Sequence, residues 1–505
     1  MSIIAADTIK SRVAGAAVTT TGGLNVGGAT TVAGAVVATS FAGDGSSITA
    51  LSGSNISSGT VAAARVATLN QNTSGTAAGL TGTPNITVGN ITGVAATFTG
   101  VLTYEDVTNV DSVGIVTARS GIEFGAAGVG GTVSALGHAE FVGIVTAAQF
   151  IPTDGQIANR NMVINGDMQV SQRGTSVTSL TASAYATVDR FKFIGSNGGT
   201  YTCETVSDSV DNGLRKAFKF TCTTADNAGQ NNLANADGLI GCEYRFEGQD
   251  VQRIQKGFSS AKQVTLSFWV KSNLTGTYNV ELKDVDNSRN CGFTYTVSSS
   301  ATWEKKTITY PADTTGTMGN DNGESLTIQW WLAAGNNYRT GASAQTTWAS
   351  TTTYNNVSLS KATSNYWEIT GVQLEVGPVA TPFEFKSYGE QLARCMRYFQ
   401  IFGGDVAYTP FGTGVWKSST AASCNLPLIT QMRAAPTLVV ANPGEGNIRS
   451  GGSNRDTTSV ALDIASPQVI MYNANDSGGG GTNGHGATHF GANNTDQTLS
   501  LSSEL

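Results

Sequence analysis

Charge is what this sequence has least of. Asp, Glu, Lys and Arg make up 13% of 505 residues, about half the share in an ordinary globular chain. That excludes disorder driven by charge repulsion. Net charge is −7 and Lys and Arg nowhere form a run, so no nucleic-acid-binding surface is expected. No stretch of about 18 apolar residues occurs, which excludes a membrane-spanning helix. Met1 to Asp7 lacks the basic and long apolar regions of a signal peptide, so synthesis and folding in a cytosol are expected.

Metal-ligating and catalytic residues are equally scarce. Cys203, Cys222, Cys242, Cys291, Cys395 and Cys424 contain no Cys-x-x-Cys pair. They read as buried free thiols rather than as a zinc site. The histidines are His138, His485 and His489, and no Gly-x-Ser-x-Gly elbow accompanies them. His485 and His489 stand four apart but lack the Glu of a metalloprotease helix. Asp284-Val285-Asp286-Asn287 lacks the Gly and distal Glu of a calcium loop. Glu243, Glu247, Asp250 and Asp284 are the carboxylates that a glycosidase pair would have to use. No cofactor and no catalytic residue is expected.

What the chain does have is Gly, 61 residues, together with abundant Thr, Ser and Asn. Such a composition suits β-structure with a surface of hydroxyls and amides. Composition changes near residue 158, beyond which lie all seven tryptophans. Before it, Gly114-Ile115-Val116-Thr117-Ala118 recurs unchanged at Gly143 to Ala147, with looser copies at Gly34 to Ala38 and Gly100 to Thr103. Each copy reads as a short strand that a single chain cannot cover on both faces, so copies must stack or intertwine. Residues 1–20 are expected to be an attachment segment and 21–158 a repeat stalk.

Residues 159–386 read as one β-sandwich. Val264, Leu266, Phe268 and Val270 alternate, as do Leu326, Ile328, Trp330 and Leu332. Further strands are expected at 201–206, 216–222, 239–246, 278–283, 293–297, 303–310 and 367–374. Ser387 and Glu390 have capping-box spacing and open a helix over 387–400. It either connects domains, packs about a symmetry axis or covers the sandwich. Residues 401–505 read as a second small β-domain, with strands at 406–411, 437–441, 460–464 and 469–472.

Several phrases carry a family resemblance. The stalk phrases Val36 to Gly45 and Val113 to Ala118 resemble repeats in virion proteins of marine, cyanobacterium-infecting phages. Asn159 to Gly174, Gly371 to Glu384, Leu392 to Phe399 and Met432 to Thr437 resemble phrases common in tail-fibre and receptor-binding proteins of tailed bacteriophages. The resemblance implies a homotrimeric fibre in the virion, made in the host's cytoplasm and fixed to other tail or baseplate proteins through its N-terminus. It further implies a carbohydrate-binding-like, jelly-roll sandwich and contact with a host surface glycan or lipopolysaccharide. The whole fold is expected to be all-β: trimeric stalk, sandwich, helix, β tip domain.

Sugar binding needs aromatic faces beside amides and hydroxyls. Trp331, Tyr338, Trp348 and Tyr354 supply that mixture in the sandwich, with Trp331 facing away from Trp330. Trp269 likewise points away from Phe268 and Val270. In the tip domain His485, His489, Asn493 and Asn494 lie among glycines, and the tip ranks ahead of the sandwich for receptor contact. Two other readings remain open: a tailspike-type enzyme that degrades polysaccharide, and a spacer without receptor contact.

Overall fold

Alternation of apolar and polar side chains decides the architecture after residue 158. A computed structural model describes residues 20, 22–23, 25–40, 42, 122–124, 130–135, 138–142 and 158–505, apart from 209, 211–212, 340–346, 350–356 and 494. Contacts divide the chain into two units, Met1–Arg119 and Ser120–Leu505.

In the first unit, the repeat copy at Gly34 to Ala38 forms no strand, and Val36 and Val37 are exposed. The copies at 100–103, 114–118 and 143–147, and the attachment segment except Thr20, lie outside the described residues. The second unit opens with a small antiparallel meander: β1 (Ile122–Phe124), β2 (Gly131–Val133) and β3 (Ala139–Phe141).

Eleven strands then build the sandwich: β4 (Ser176–Leu180), β5 (Phe191–Ser196), β6 (Thr200–Val206), β7 (Ala217–Thr224), β8 (Leu239–Glu247), β9 (Val264–Ser272), β10 (Gly276–Asp284), β11 (Arg289–Val297), β12 (Glu304–Tyr310), β13 (Glu324–Ala334) and β14 (Tyr366–Val376). One sheet has five strands in the order β11-β10-β13-β8-β5, the other six in the order β12-β9-β14-β7-β6-β4. Phe268, Trp330 and Trp367 meet between them, with Trp330 and Trp367 ring centroids 6.5 Å apart. Each such ring, fully buried, contributes roughly 1.5–3 kcal/mol through removal of apolar area from water. All six cysteines are buried and free.

The segment at the start of the sandwich is a structural joint. The Asn165 side-chain amide donates to the Val170 and Asp189 carbonyls at 2.9 and 3.0 Å, and its oxygen accepts from the Val170 N–H at 2.9 Å. Asn161 bridges to Val372 and Leu374 on β14. Glu375 accepts from Thr381 and Gln373. The short helix α1 (Gly248–Val251) follows β8, and the longer α2 (Tyr388–Met396) follows β14. Ser387 caps α2 by accepting from the Glu390 N–H at 3.3 Å. Cys395 and Leu392 pack on the sandwich core and Gln391 accepts from Asn165 N–H, so α2 covers the sandwich end.

The remaining chain forms β15 (Phe399–Gly403), β16 (Pro410–Trp416), β17 (Ala421–Pro427), β18 (Thr437–Ala441), β19 (Gly446–Ser450), β20 (Ser453–Ala465), β21 (Val469–Asp476), β22 (Gly486–Gly491) and β23 (Thr498–Ser502). Six of these close a barrel, β16-β17-β21-β20-β19-β22, and β15-β23-β18 make a small sheet beside it. The expected strand at 406–411 starts later, at Pro410, because Tyr408 has a left-handed φ of 62° that breaks an extended run. Arg397 holds Glu247 at 2.8 and 2.7 Å, and Arg433 reaches the Ser503 and Asn322 carbonyls at 2.8 and 2.7 Å. These bonds fix the barrel to the sandwich.

Candidate ligand-binding cleft

The outer face of the five-stranded sheet carries a cleft because its outward positions are planar and polar. Inward residues such as Phe193, Cys242, Val280 and Ile328 fill the core, so period two turns their neighbours outward. The register then aligns them in rows. Lys192, Glu243, Gln329, Glu281 and Gly292 stand side by side across β5, β8, β13, β10 and β11. The next row runs Arg245, Thr327, Lys283 and Asn290. On the other side lie Ile194, Gly241, Trp331 and Asn279.

The cleft has a volume of about 290 Å³ and is walled by Leu239, Trp331 and Tyr338. Tyr338 sits on the turn after β13 with its ring centroid 5.4 Å from that of Trp331. Gly335 lets this turn close, since a Cβ there would lie 2.1 Å from the Asn235 carbonyl oxygen. The charged floor is internally paired. Arg245 holds Glu243 at 2.8 Å and Glu324 at 2.9 Å, and Lys283 donates to the Gln329 oxygen at 3.0 Å. Burial opposes the Arg245 cation, but Glu243 and Glu324 outweigh it and raise its pKa. Burial and then Arg245 lower that of Lys192. The result is a fixed set of donors and acceptors whose geometry is already ordered, beside an apolar wall.

The structure separates the residues that the sequence suggested. Trp331 does face away from Trp330, but it is only 3% exposed, packed against Leu239 and Ala334. It therefore forms the cleft wall and Tyr338 the accessible ring. Trp269 is half-buried on the opposite face of the sandwich. Trp348 is not an exposed loop ring: its indole donates to the Pro311 carbonyl at 2.9 Å and lies 5.2 Å over the buried Lys256. It covers an ion cluster that water would otherwise reach. Tyr354 lies outside the described residues.

In the barrel, His489 corrects the expected tip loop. It sits on β22, fully buried, with Nδ1 3.0 Å from the Tyr472 hydroxyl and its ring 5.0 Å from Phe411. Burial pushes its pKa down to about 4. Barrel closure turns it inward, so His485, which is exposed, forms no pair with it. Asn493 is exposed and Asn494 lies outside the described residues. Asp284 is buried against Lys256 and Asn287. Glu247 is buried against Arg397.

Lys192, Arg245, Glu281, Lys283 and Gln329 were not singled out from sequence. Their signal was available only as the polar half of each alternating strand. Among the described residues no group of His, Cys, Asp and Glu is arranged to hold a metal ion, and no helix is long and apolar enough to cross a membrane.

The class that this architecture defines is a jelly-roll-like β-sandwich followed by a small closed barrel. No known family and no curated protein matches the chain. Solved structures similar to it include the enzymatically active domain of tailspike protein 4 of bacteriophage CBA120, a family 4 carbohydrate-binding module and the family 11 module of a cellulosomal cellulase of Clostridium thermocellum. They are 12%, 14% and 12% identical, with TM-scores of 0.23, 0.22 and 0.22. The aligned parts cover 43%, 42% and 40% of this chain, and 21%, 98% and 100% of theirs. The chain thus spans about a fifth of that tailspike chain.

Proposed function

We propose that this chain is a non-enzymatic structural subunit of a bacteriophage tail fibre that recognises a host surface glycan through the cleft on its five-stranded sheet. The observation that carries the glycan reading is the ordered row Lys192, Glu243, Gln329 and Glu281 beside the Tyr338 ring. Sugar hydroxyls take paired donors and acceptors, while an aromatic face takes ring C–H groups. The fibre reading rests on the phrases that resemble those of tail-fibre proteins and on the stalk repeats, which need partner chains to be covered. A homotrimer, attached at residues 1–20 to tail or baseplate proteins of the virion, follows from the same resemblance. Weak single contacts would then be multiplied over three chains.

Labelled full-length protein binding to candidate host cells tests this, with Tyr338→Ala and Gln329→Ala as cleft variants. Each variant is expected to weaken retention about tenfold, since about 1.4 kcal/mol is tenfold. Undiminished retention in both would refute the cleft. The enzyme alternative instead predicts new reducing ends when purified protein is incubated with host polysaccharide. The spacer alternative predicts no cell binding at all.

A further inference from the structure

The other broad face of the sandwich carries a larger groove, of about 430 Å³, that the cleft does not use. Its floor is Trp269, the outward residue between Phe268 and Val270 on β9. The neighbouring strand β14 bulges between Thr370 and Gln373, and Gly371 stands there at φ +60°. A Cβ on Gly371 would lie 3.0 Å from the Trp269 ring and 2.6 Å from Leu214. The glycine therefore leaves the indole room to lie along the groove. Phe383 and Phe385, packed edge to face at 5.0 Å, form one wall.

Two polar groups in this groove are uncommitted. Ser267, the preceding outward residue of β9, is only 4% exposed, and its hydroxyl has no protein partner among the described residues. Lys305 stands directly across from Trp269 on β12 and has no carboxylate partner among the described residues. The other lysines of this face are spent. Lys271 pairs with Asp208 and with Glu368 at 3.1 Å, Lys219 with Glu368 at 3.3 Å. The Ser267 hydroxyl opens on the groove, where a ligand can bond it.

We propose that this groove is a second ligand site, specific for a pyranose ring that carries an anionic substituent, a carboxylate or a sulfate. The ring packs on Trp269 and Phe383, a ring hydroxyl bonds Ser267 and the anion meets Lys305. Its volume lies in the range of small-ligand pockets, roughly 300–1,000 Å³. The proposal is independent of the cleft, which lies on the opposite sheet.

The test is titration calorimetry of the full chain with a galacturonate trisaccharide, a sulfated galactose disaccharide and a neutral galactose disaccharide. At least one anionic sugar is expected to bind about tenfold more tightly than the neutral one. Whether the carboxylated or the sulfated sugar prevails identifies the source of the charge. Trp269→Ala should abolish that binding, and Lys305→Gln should reduce it to the neutral level. Should Trp269→Ala not fold, Ser267→Val replaces it and is expected to weaken binding severalfold. The proposal is overturned if no anionic sugar outbinds the neutral one. It is equally overturned if Lys305→Gln leaves the preference intact, or if only Gln329→Ala weakens binding, which would place the sugar in the cleft.

Discussion

Removing the Glu504 carboxylate should destabilise the sandwich and its hold on the barrel together. Its two oxygens bind Arg173 at 2.9 Å and Arg190, and its side chain is 5% exposed. Arg190 is 1% exposed, stacks 3.4 Å above the Tyr398 ring and donates to the Arg245 carbonyl at 2.6 Å. Burial works against the Arg190 cation, yet Glu504 and the surrounding tyrosines raise its pKa well above normal. It cannot escape by losing its proton. Glu504→Ala thus leaves a buried cation without its counter-charge, which costs about 3–5 kcal/mol. For a domain of this size each kcal/mol shifts Tm by roughly 2–4 °C, so a fall of about 6–20 °C is expected by scanning calorimetry. Glu504→Gln keeps the shape and one hydrogen-bond acceptor but no charge, and should fall between. A double-mutant cycle with Arg173→Ala should show coupling, since both act on one carboxylate. A Tm within about 2 °C of wild type for Glu504→Ala would refute the reasoning.

Three further perturbations follow. His489 titrates near 4 when folded, against 6.5 as its ordinary value. The unfolded chain therefore takes up this proton first, and barrel stability should fall as pH drops from about 6.5 to about 4, by about 3 kcal/mol in all. Hydrogen exchange of β16 and β22 reads this, and His489→Gln should remove the step. Gly166→Ala places a Cβ 2.1 Å from the Val372 carbonyl oxygen, and should cost about 1–3 kcal/mol of sandwich stability in urea. Lys256→Ala removes the ammonium paired to the buried Asp284, while Asp313 keeps Arg289 at 2.8 Å. The expected loss is about 3–5 kcal/mol, read as a lowered urea midpoint.

The sandwich was legible because its core strands carry large residues at period two. Leu326 to Leu332 and Val264 to Val270 lie where that pattern puts them. The barrel was less so. Its strand β17 reads Ala421-Ala422-Ser423-Cys424-Asn425, too small and polar to separate from a loop, and β22 hides His489 and Phe490 between glycines. Several phrases picked out from the sequence lie at joints: Asn161 and Asn165 at the start of the sandwich, Arg397 and Tyr398 after the helix, Met432 and Arg433 at the barrel. Packing constrains such residues, whereas ligand contacts need only face outward. The cleft itself was illegible for that reason. Lys192, Glu243, Gln329 and Glu281 come from four strands, and only the register across the sheet aligns them.

The most direct measurement is a photo-crosslinking footprint of the full-length protein on a host surface glycan. A photoreactive form of that glycan is bound, activated and mapped by mass spectrometry. Recognition through the five-stranded face predicts labels within 239–245, 279–283 and 329–338, lost in Tyr338→Ala. Labels confined to the barrel, with none on these three segments, would contradict it.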